Sequence, residues 1–320
     1  YKNNWLKNLG PEHISNKVLN FKALAPLVSI DEYIKKWNFL TLGFKENSLW
    51  LEAGESAAQK RLKQFEKLEN NYFDNRNFPY IQDGTSGLSV HLRFGTISIR
   101  QLVRNTQNKN NIGVKTWLSE LIWRDFYQTI LDQFPYVAKT CFQTECDKIK
   151  WPGKSRHFNL WCKGMTGYPL IDAAMRHFNN TGWMHNRLRM IVASFLTKDL
   201  LVDWRKGESW FARKLLDFDL AANNGGWQWS ASTGCDAQPY FRIFNPITQS
   251  KNFDPDGSFI RQYIPELSGF SDRRIHWPHD AGIEEQTESK CLLGKEYPHP
   301  VVAHDIQRKI AIELFKAVKS

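Results

Sequence analysis

Hydrophobic periodicity is the feature that most restricts the fold of this chain. Apolar residues recur at helical spacing in three long runs, which predict helices over residues 117–134, 169–178 and 186–201. A more charged amphipathic pattern predicts a further helix over residues 55–70. Strand-like alternation is scarce, and the sequence has neither a βαβ rhythm nor a GxGxxG motif. The sequence therefore predicts an all-α, multi-helical fold with long ordered loops.

The first 50 residues have a different pattern from the remainder. Pro11, Pro26 and Gly43 interrupt them, so we interpret residues 1–50 as a linker-like segment that precedes a helical domain at residues 51–320. No run approaches the ~18 unbroken apolar residues that a membrane helix needs. The N-terminus also lacks the apolar region of a signal peptide. We therefore expect a cytoplasmic protein with no membrane partner.

The charge balance and the aromatic content narrow the function. The formal net charge is +10, and such an excess attracts phosphate backbones or anionic membranes, although many basic proteins bind neither. The thirteen tryptophans suit base stacking, a flavin pocket or an electron relay, and the alternative is an aromatic core. The five scattered cysteines form no CxxC pair, which favours reduced thiols and predicts no metal site.

The predicted helix over 117–134 carries an unusual mixture on one face. Glu120, Trp123, Arg124 and Tyr127 fall at spacings that bring them together there. Aromatic and charged side chains side by side are uncommon both in water and in a core. They suit the wall of a ligand pocket, where rings stack and charges fix orientation. The alternative is a partly exposed helix face with an internal ion pair.

Residues 217–229 combine two acids, three amides, two glycines and two tryptophans. Adjacent glycines weaken a helix, so their presence predicts that the backbone approaches something closely. Amides provide both donors and acceptors, which can recognise the edge of a heteroaromatic ring. The alternative is a glycine-rich turn that follows a helix.

Two further motifs carry candidate binding groups. Arg187 and Arg189 cannot share a helix face, so one can reach solvent or phosphate while the other points inward and needs an acid, either Asp217 or Asp219. The alternative is two surface cations. Residues 83–89 place small hydroxyls among glycines ahead of a helix, and such a loop can donate several N–H and O–H groups to a pyrophosphate. Most turns of this kind bind nothing.

Together these motifs resemble the photolyase/cryptochrome family. The resemblance runs from about Tyr72 to Phe259, with a weaker echo at residues 297–301. It is carried by TSxLS at 85–89, WLxELIWRxFY at 117–127, TGYP at 166–169, TGWMHNRLRM at 181–190 and the 217–229 stretch. It implies an all-helical domain that binds FAD, so that residues 51–320 would be the FAD-binding, DNA-photolyase catalytic domain.

The resemblance also concerns what precedes that domain. The family's N-terminal α/β antenna domain has no counterpart in this sequence, and residues 1–50 resemble the interdomain linker that follows it. A second, light-harvesting chromophore such as a folate would need that antenna domain.

The resemblance implies cofactor contacts for individual residues. Asn223 would face the flavin N5 position, where an amide can hydrogen-bond the protonated, reduced ring, and Arg189 would pair with Asp217 beside the ring. The full set of implied cofactor contacts is Tyr72, Thr85, Ser86, Gly87, Leu88, Ser89, Trp117, Glu120, Arg124, Tyr127, Asn186, Arg189, Asp217, Asp219 and Asn223.

Catalytic, DNA-binding and electron-transfer roles follow from the same resemblance. Trp123 and Trp229 would stack against a dimer flipped out of the duplex, and Glu120 would hydrogen-bond its pyrimidine edge. The implied catalytic residues are Glu120, Trp123, Asn223 and Trp229, and the implied DNA contacts are Arg76, Trp123, Asn186, Arg187 and Trp229. Trp227, Trp204 and Trp151 resemble the family's electron relay, for which core packing is the alternative.

The implied activity is light-driven repair of cyclobutane pyrimidine dimers in DNA, by electron transfer from excited, reduced FAD, in a monomeric lyase. The 183–190 segment resembles the class I dimer-repair branch, because Asn186 stands where the six-four branch has a second histidine. One alternative is a cryptochrome-like blue-light photoreceptor without repair activity. A non-catalytic nucleic-acid-binding domain is the other. Gly87 and Val90 depart from the family pattern, since a basic residue and a proline are usual there.

Overall fold

Helices form nearly all the regular structure of this chain. The computed structural model describes residues 1–15, 40–43, 49–107, 109–235 and 242–319, and within these ranges the only β contact is an isolated bridge between Leu293 and Tyr297. The all-α prediction is therefore confirmed. Most of the predicted linker at residues 1–50 lies outside the described residues, so that interpretation stays a prediction.

The α-helices are numbered in chain order. They are α1 Lys2–Asn8, α2 Pro11–Ile14, α3 Glu55–Glu66, α4 Tyr72–Asn75, α5 Ser89–Phe94, α6 Ile99–Thr106, α7 Ile112–Gln133, α8 Ser155–Lys163, α9 Pro169–Thr181, α10 Asn186–Ser194, α11 Trp204–Lys214, α12 Leu220–Ala231, α13 Pro246–Phe253, α14 Ser258–Tyr263, α15 Ile283–Glu288 and α16 His304–Lys319. None of these helices in the described ranges is long and apolar enough to cross a membrane.

Helix α7 is longer than the periodicity predicted. It begins at Ile112 because Asn111 caps it, with the side-chain oxygen accepting from the N–H of Gly113 at 2.7 Å. Its start also passes close to another part of the backbone, since a Cβ on Gly113 would lie 2.2 Å from the Glu69 carbonyl oxygen. The helix ends before Pro135, as predicted.

The predicted helix over 186–201 has a different end. The α-helical part, α10, stops at Ser194, and a single π-helical turn covers Phe195–Asp199. A π turn holds one more residue than an α turn and changes the direction of the side chains that follow. Periodicity alone did not predict this widening, because the buried stripe continues through both segments.

Two apolar cores flank α7. The larger includes Trp161, Phe178, Trp204 and Phe211 and is built mainly from α8 to α12. The smaller joins α3, α6 and α7 through residues such as Phe65. Helix α7 packs on both α4 and α12, and its Trp117 and Leu121 belong to the smaller core.

Candidate functional site

The polar face of α7 contacts two different partners along its length. Glu120 forms an ion pair with Arg76 of the loop after α4, at 2.6 Å, and Arg124 lies 4.0 Å from Asp219 at the start of α12. Trp123, between them, is 45% exposed. Trp117, one turn before Glu120, is buried against Phe65 with ring centroids 4.8 Å apart. The predicted face therefore exists, with Trp117 in the smaller core.

Glu120 occupies a mixed electrostatic environment. Burial raises the pKa of its carboxyl above the ordinary value, and the Arg76 guanidinium opposes that shift. Arg76 also lies over the ring of Tyr72, 5.6 Å from its centroid. The ionised carboxyl of Glu120 accepts hydrogen bonds, as it does from Arg76.

Helix α12 contains the two glycines and is continuous through them. Asp219 caps it by accepting from the N–H of Ala222 at 3.0 Å, and Gln128 of α7 donates to both Asp219 carboxylate oxygens at 2.9 and 2.8 Å. A Cβ on Gly225 would lie 2.1 Å from the Tyr127 ring. The glycine therefore permits close packing of α12 on α7, and the alternative of a glycine-rich turn was wrong.

The two arginines at the start of α10 point in different directions, as their helical spacing predicted. Arg189 points inward, where it donates to both oxygens of Asp217 at 3.0 and 2.7 Å and to the Met184 carbonyl at 2.8 Å. The Asp217 side chain is only 4% exposed. The inward arginine thus has an acid, and that acid is Asp217, not Asp219.

Arg187 points the other way, and no acid in the described part of the chain forms an ion pair with it. Its guanidinium donates to the Asn77 side-chain oxygen at 2.6 Å and stacks on Phe253, 4.3 Å from the ring centroid. Within the described residues its Nε makes no hydrogen bond. Burial, with Arg76 and Arg242 nearby, lowers the pKa of Arg187. A guanidinium held in this way is of the type that can bind an anion.

His185 explains why α10 begins where it does. Its Nδ1 accepts from the N–H of Arg187 at 3.1 Å, which caps the helix. Burial and the neighbouring Arg187 and Arg189 lower the pKa of His185 to about 3. The imidazole is therefore neutral and keeps the lone pair that the cap requires. Asn186, the next residue, is exposed, with its amide 3.8 Å from the Met190 sulfur.

Asn223 lies buried on α12 with its amide orientation fixed. Its Nδ2 donates to Glu208 Oε1 of α11 at 2.8 Å. Burial raises the pKa of Glu208, and the hydrogen bond from Asn223 opposes this. Among the described residues no donor reaches Asn223 Oδ1. The amide therefore presents an acceptor to any group that lies beside it.

Residues 85–88 of the predicted phosphate loop lie between α4 and α5, and Ser89 is the first residue of α5. The Ser89 hydroxyl accepts from the indole N–H of Trp183 at 3.1 Å, which joins this loop to the segment before α10. Leu88 is buried in the smaller core, and Gly87 has a φ of 64°. Tyr72 is buried too, with its ring 5.8 Å from that of Phe65, and burial raises its pKa.

Exposure to solvent separates the three predicted relay tryptophans and Trp229 into two groups. Trp204 and Trp227 are buried in the larger core, where Trp227 packs edge-on against Phe211 at 5.1 Å. Trp227 also covers Gly207 of α11, the helix that begins at Trp204. Trp151 is half-buried beside Phe315, at 6.0 Å, and Trp229 is half-buried at the edge of the larger core. Core packing and a relay both remain compatible with these positions.

Sequence reasoning missed the residues that orient the predicted ones. Gln128 holds Asp219, Glu208 holds Asn223, and Asn77 with Phe253 holds Arg187. For Gln128 a signal was available, because it lies one turn after Arg124 and next to Tyr127 on the face already singled out. The other three lie in segments without a distinctive motif.

Comparison with known proteins gives a consistent result. A family model described as the FAD binding domain of DNA photolyase matches residues 117–317. A deoxyribodipyrimidine photo-lyase of Neurospora crassa is 47% identical over 286 residues, which are 84% of this chain and 46% of that protein. The chain spans about half the length of the curated relatives it matches.

Solved structures show the same fold. A bacterial class III photolyase from Agrobacterium tumefaciens superposes with a TM-score of 0.81 at 40% identity, over 84% of this chain and 57% of that one. A cryptochrome of Synechocystis superposes with a TM-score of 0.79 at 32% identity, over 85% of this chain and 59% of that one.

Proposed function

The chain belongs to the DNA photolyase family, and we propose that it repairs cyclobutane pyrimidine dimers in DNA under light, with FAD as its cofactor. The observation that carries this proposal is that α7 contacts different groups at different points along its length. Arg124 of this helix lies 4.0 Å from Asp219 at the start of α12, whereas Glu120 pairs with Arg76 and Trp123 is exposed. One helix thus connects a candidate cofactor wall with a candidate DNA surface.

The residues present fit FAD. The cofactor has a diphosphate and a ring system with both donor and acceptor atoms at its edge. For the ring the chain provides a buried Asn223 amide with a vacant acceptor and the Arg189–Asp217 pair. For the diphosphate it provides the 85–89 loop, whose hydroxyls and N–H groups are of the type that binds phosphate. We propose the fifteen residues named from the resemblance as the cofactor contacts.

The residues on the outer surface fit damaged DNA. Arg187 is fixed by Asn77 and Phe253 and has no acid to neutralise it in the described part of the chain, so its charge is available to a phosphate. Trp123 is exposed at the same side of α7 as Glu120. An exposed tryptophan beside arginines can stack on a base that has left the duplex. We propose Arg76, Trp123, Asn186, Arg187 and Trp229 as DNA contacts.

These positions suggest what the chain's own residues do during repair. When bound in its reduced form and excited by light, FAD would supply the electron that opens the cyclobutane ring, and the electron would return to the flavin once the two pyrimidines are intact. Trp123 and Trp229 hold the dimer, and Glu120 hydrogen-bonds the pyrimidine edge. Glu208 holds the Asn223 amide, and Asn223 would present its acceptor oxygen to the flavin ring. We propose Trp151, Trp204 and Trp227 as a relay that restores the reduced cofactor.

The test is repair of a dimer-containing oligonucleotide under blue light, with a reductant and a dark control. Light-dependent restoration of intact pyrimidines supports the proposal. Bound FAD without repair would instead support a cryptochrome-like photoreceptor, and a colourless protein that binds DNA would support a non-catalytic binding domain. We further propose that the protein is cytoplasmic, because reduced, scattered cysteines suit that compartment. We also propose that it is a monomer, and light scattering tests this oligomeric state.

A further inference from the structure

Arg61 of α3 attaches to the loop that is proposed to hold the cofactor phosphates. Its Nε donates to the Ser86 carbonyl at 2.7 Å, and its second terminal nitrogen donates to the Thr85 carbonyl at 2.9 Å. Its first terminal nitrogen donates to Asp83 at 2.7 Å. All three nitrogens of the guanidinium are therefore engaged by one short stretch of loop, in a planar fork that fits several acceptors at once.

This contact determines which way the loop's N–H groups point. In a trans peptide the carbonyl of one residue and the N–H of the next point in opposite directions. Because Arg61 holds the Thr85 and Ser86 carbonyls, the N–H groups of Ser86 and Gly87 are directed away from Arg61. Neither N–H donates to an acceptor among the described residues. Consecutive N–H groups turned to one side form a concavity that binds anions.

Gly87 is required by the same contact. A Cβ at this position would lie 2.8 Å from Arg61 Nε, and the φ of 64° strains most other residues. A side chain here would therefore displace the guanidinium as well as strain the loop. The family pattern has a basic residue at this position, and in this chain the cation next to the loop comes from α3.

We propose that Arg61 is a positioning residue for the flavin diphosphate, an inference that rests on the proposed FAD-binding function. Asp83 balances the charge of Arg61, so Arg61 acts by fixing the direction of two N–H groups and does not touch the phosphate. Its contribution is specific to ligands that carry phosphate. A role in folding alone would affect all flavins equally, and this difference makes the inference testable.

The experiment compares three flavins on the 320-residue protein freed of cofactor. Fluorescence titration gives Kd for FAD, FMN and riboflavin with the unaltered protein, with Arg61→Gln and with the control Lys63→Gln. Lys63 is exposed on the same helix, so the control removes an equal charge away from the loop. For Arg61→Gln we expect FAD binding to weaken about tenfold, the scale of one or two lost hydrogen bonds, with riboflavin binding unchanged.

Two further variants support the comparison. Arg61→Lys restores the charge without the fork, so we expect it to rescue little of the FAD affinity. Gly87→Ala displaces the fork directly, so it reproduces the selective loss of FAD binding, and its effect is less than additive with Arg61→Gln. If Arg61→Gln does not fold, Arg61→Lys still tests the inference, because it keeps the charge and removes the fork.

The outcomes separate this inference from the proposed function. Equal weakening of FAD and riboflavin binding, or unchanged FAD binding in Arg61→Gln, overturns the role of Arg61 and leaves FAD as cofactor. Failure of the unaltered protein to bind FAD overturns both. Loss of FAD affinity in Lys63→Gln of the same size would also overturn the inference, because general charge would then explain the effect.

Discussion

The buried wall and the outer rim of the site use polar residues in opposite ways. We define the buried wall as Arg189, Asp217, Asn223 and Glu208, where Arg189 pairs with Asp217 and the Asn223 amide donates to Glu208. The outer rim is Arg76, Glu120, Trp123 and Arg187, where one arginine is held by an amide and a phenyl ring. In the wall, pairing offsets the cost of burial. At the rim, incomplete pairing leaves charge available for a ligand.

The largest effect is expected from Asp217→Ala in the wall. Removal of this acid leaves Arg189 partly buried and unpaired, which costs about 3 kcal/mol of the free energy of unfolding. Urea denaturation measures it. The control is Asp272→Ala, which breaks an ion pair of similar length to Arg261 on the exposed surface and costs less than about 1 kcal/mol. Similar losses in both variants would show that burial of the wall's ion pair adds nothing to its effect on stability.

Asn223→Asp tests the wall's preference for a neutral amide. A carboxylate at 223 would face Glu208 at hydrogen-bonding distance, and it would repel the charge of a reduced flavin. We expect the reduced cofactor to be destabilised by about 1 to 2 kcal/mol, the scale of one pKa unit or slightly more. Photoreduction rate and reduction potential measure this. Addition of Glu208→Gln recovers part of the effect, and unchanged photoreduction in Asn223→Asp would contradict the assignment.

Glu120→Ala tests whether Glu120, at the rim, acts in the repair reaction or in DNA binding. Loss of the carboxyl removes a group that stabilises negative charge on the pyrimidine. We therefore expect repair per absorbed photon to fall roughly fivefold. This is a smaller loss than the rate loss in a thermally activated reaction that is deprived of such a group. DNA affinity stays equal or increases, because Arg76 loses its partner. Quantum yield at saturating DNA and a binding titration give the two values. A parallel loss of affinity would reassign Glu120 to docking.

Phe253→Leu has the smallest expected effect and concerns Arg187. The charge remains, but its stacking surface is lost, so DNA binding weakens about threefold, in line with ~0.5–1 kcal/mol for such a contact. The dependence of affinity on salt is unchanged, whereas Arg187→Ala lowers its slope by about one. Phe94→Leu, at an exposed ring, is the control. A changed salt slope in Phe253→Leu would show that the ring affects more than one cation.

Local features of the site could be predicted from the sequence. The shared face of α7 and the division between Arg187 and Arg189 follow from helical spacing alone, which is a property of a few consecutive residues. The acid that pairs with Arg189 could be reduced to Asp217 or Asp219 because an inward cation requires one. The choice between them needed the structure, in which Gln128 and Arg124 engage Asp219 instead.

The sequence by itself determined the helical class, the motifs of the family and the residue types of the site, because periodicity and motif chemistry are local. Only the tertiary structure decided how these residues are oriented. Asn77 meets Arg187 across 110 positions, and Arg61 meets Ser86 across 25. Such contacts depend on the angle and distance at which helices pack, to which every buried side chain contributes. No local pattern records them.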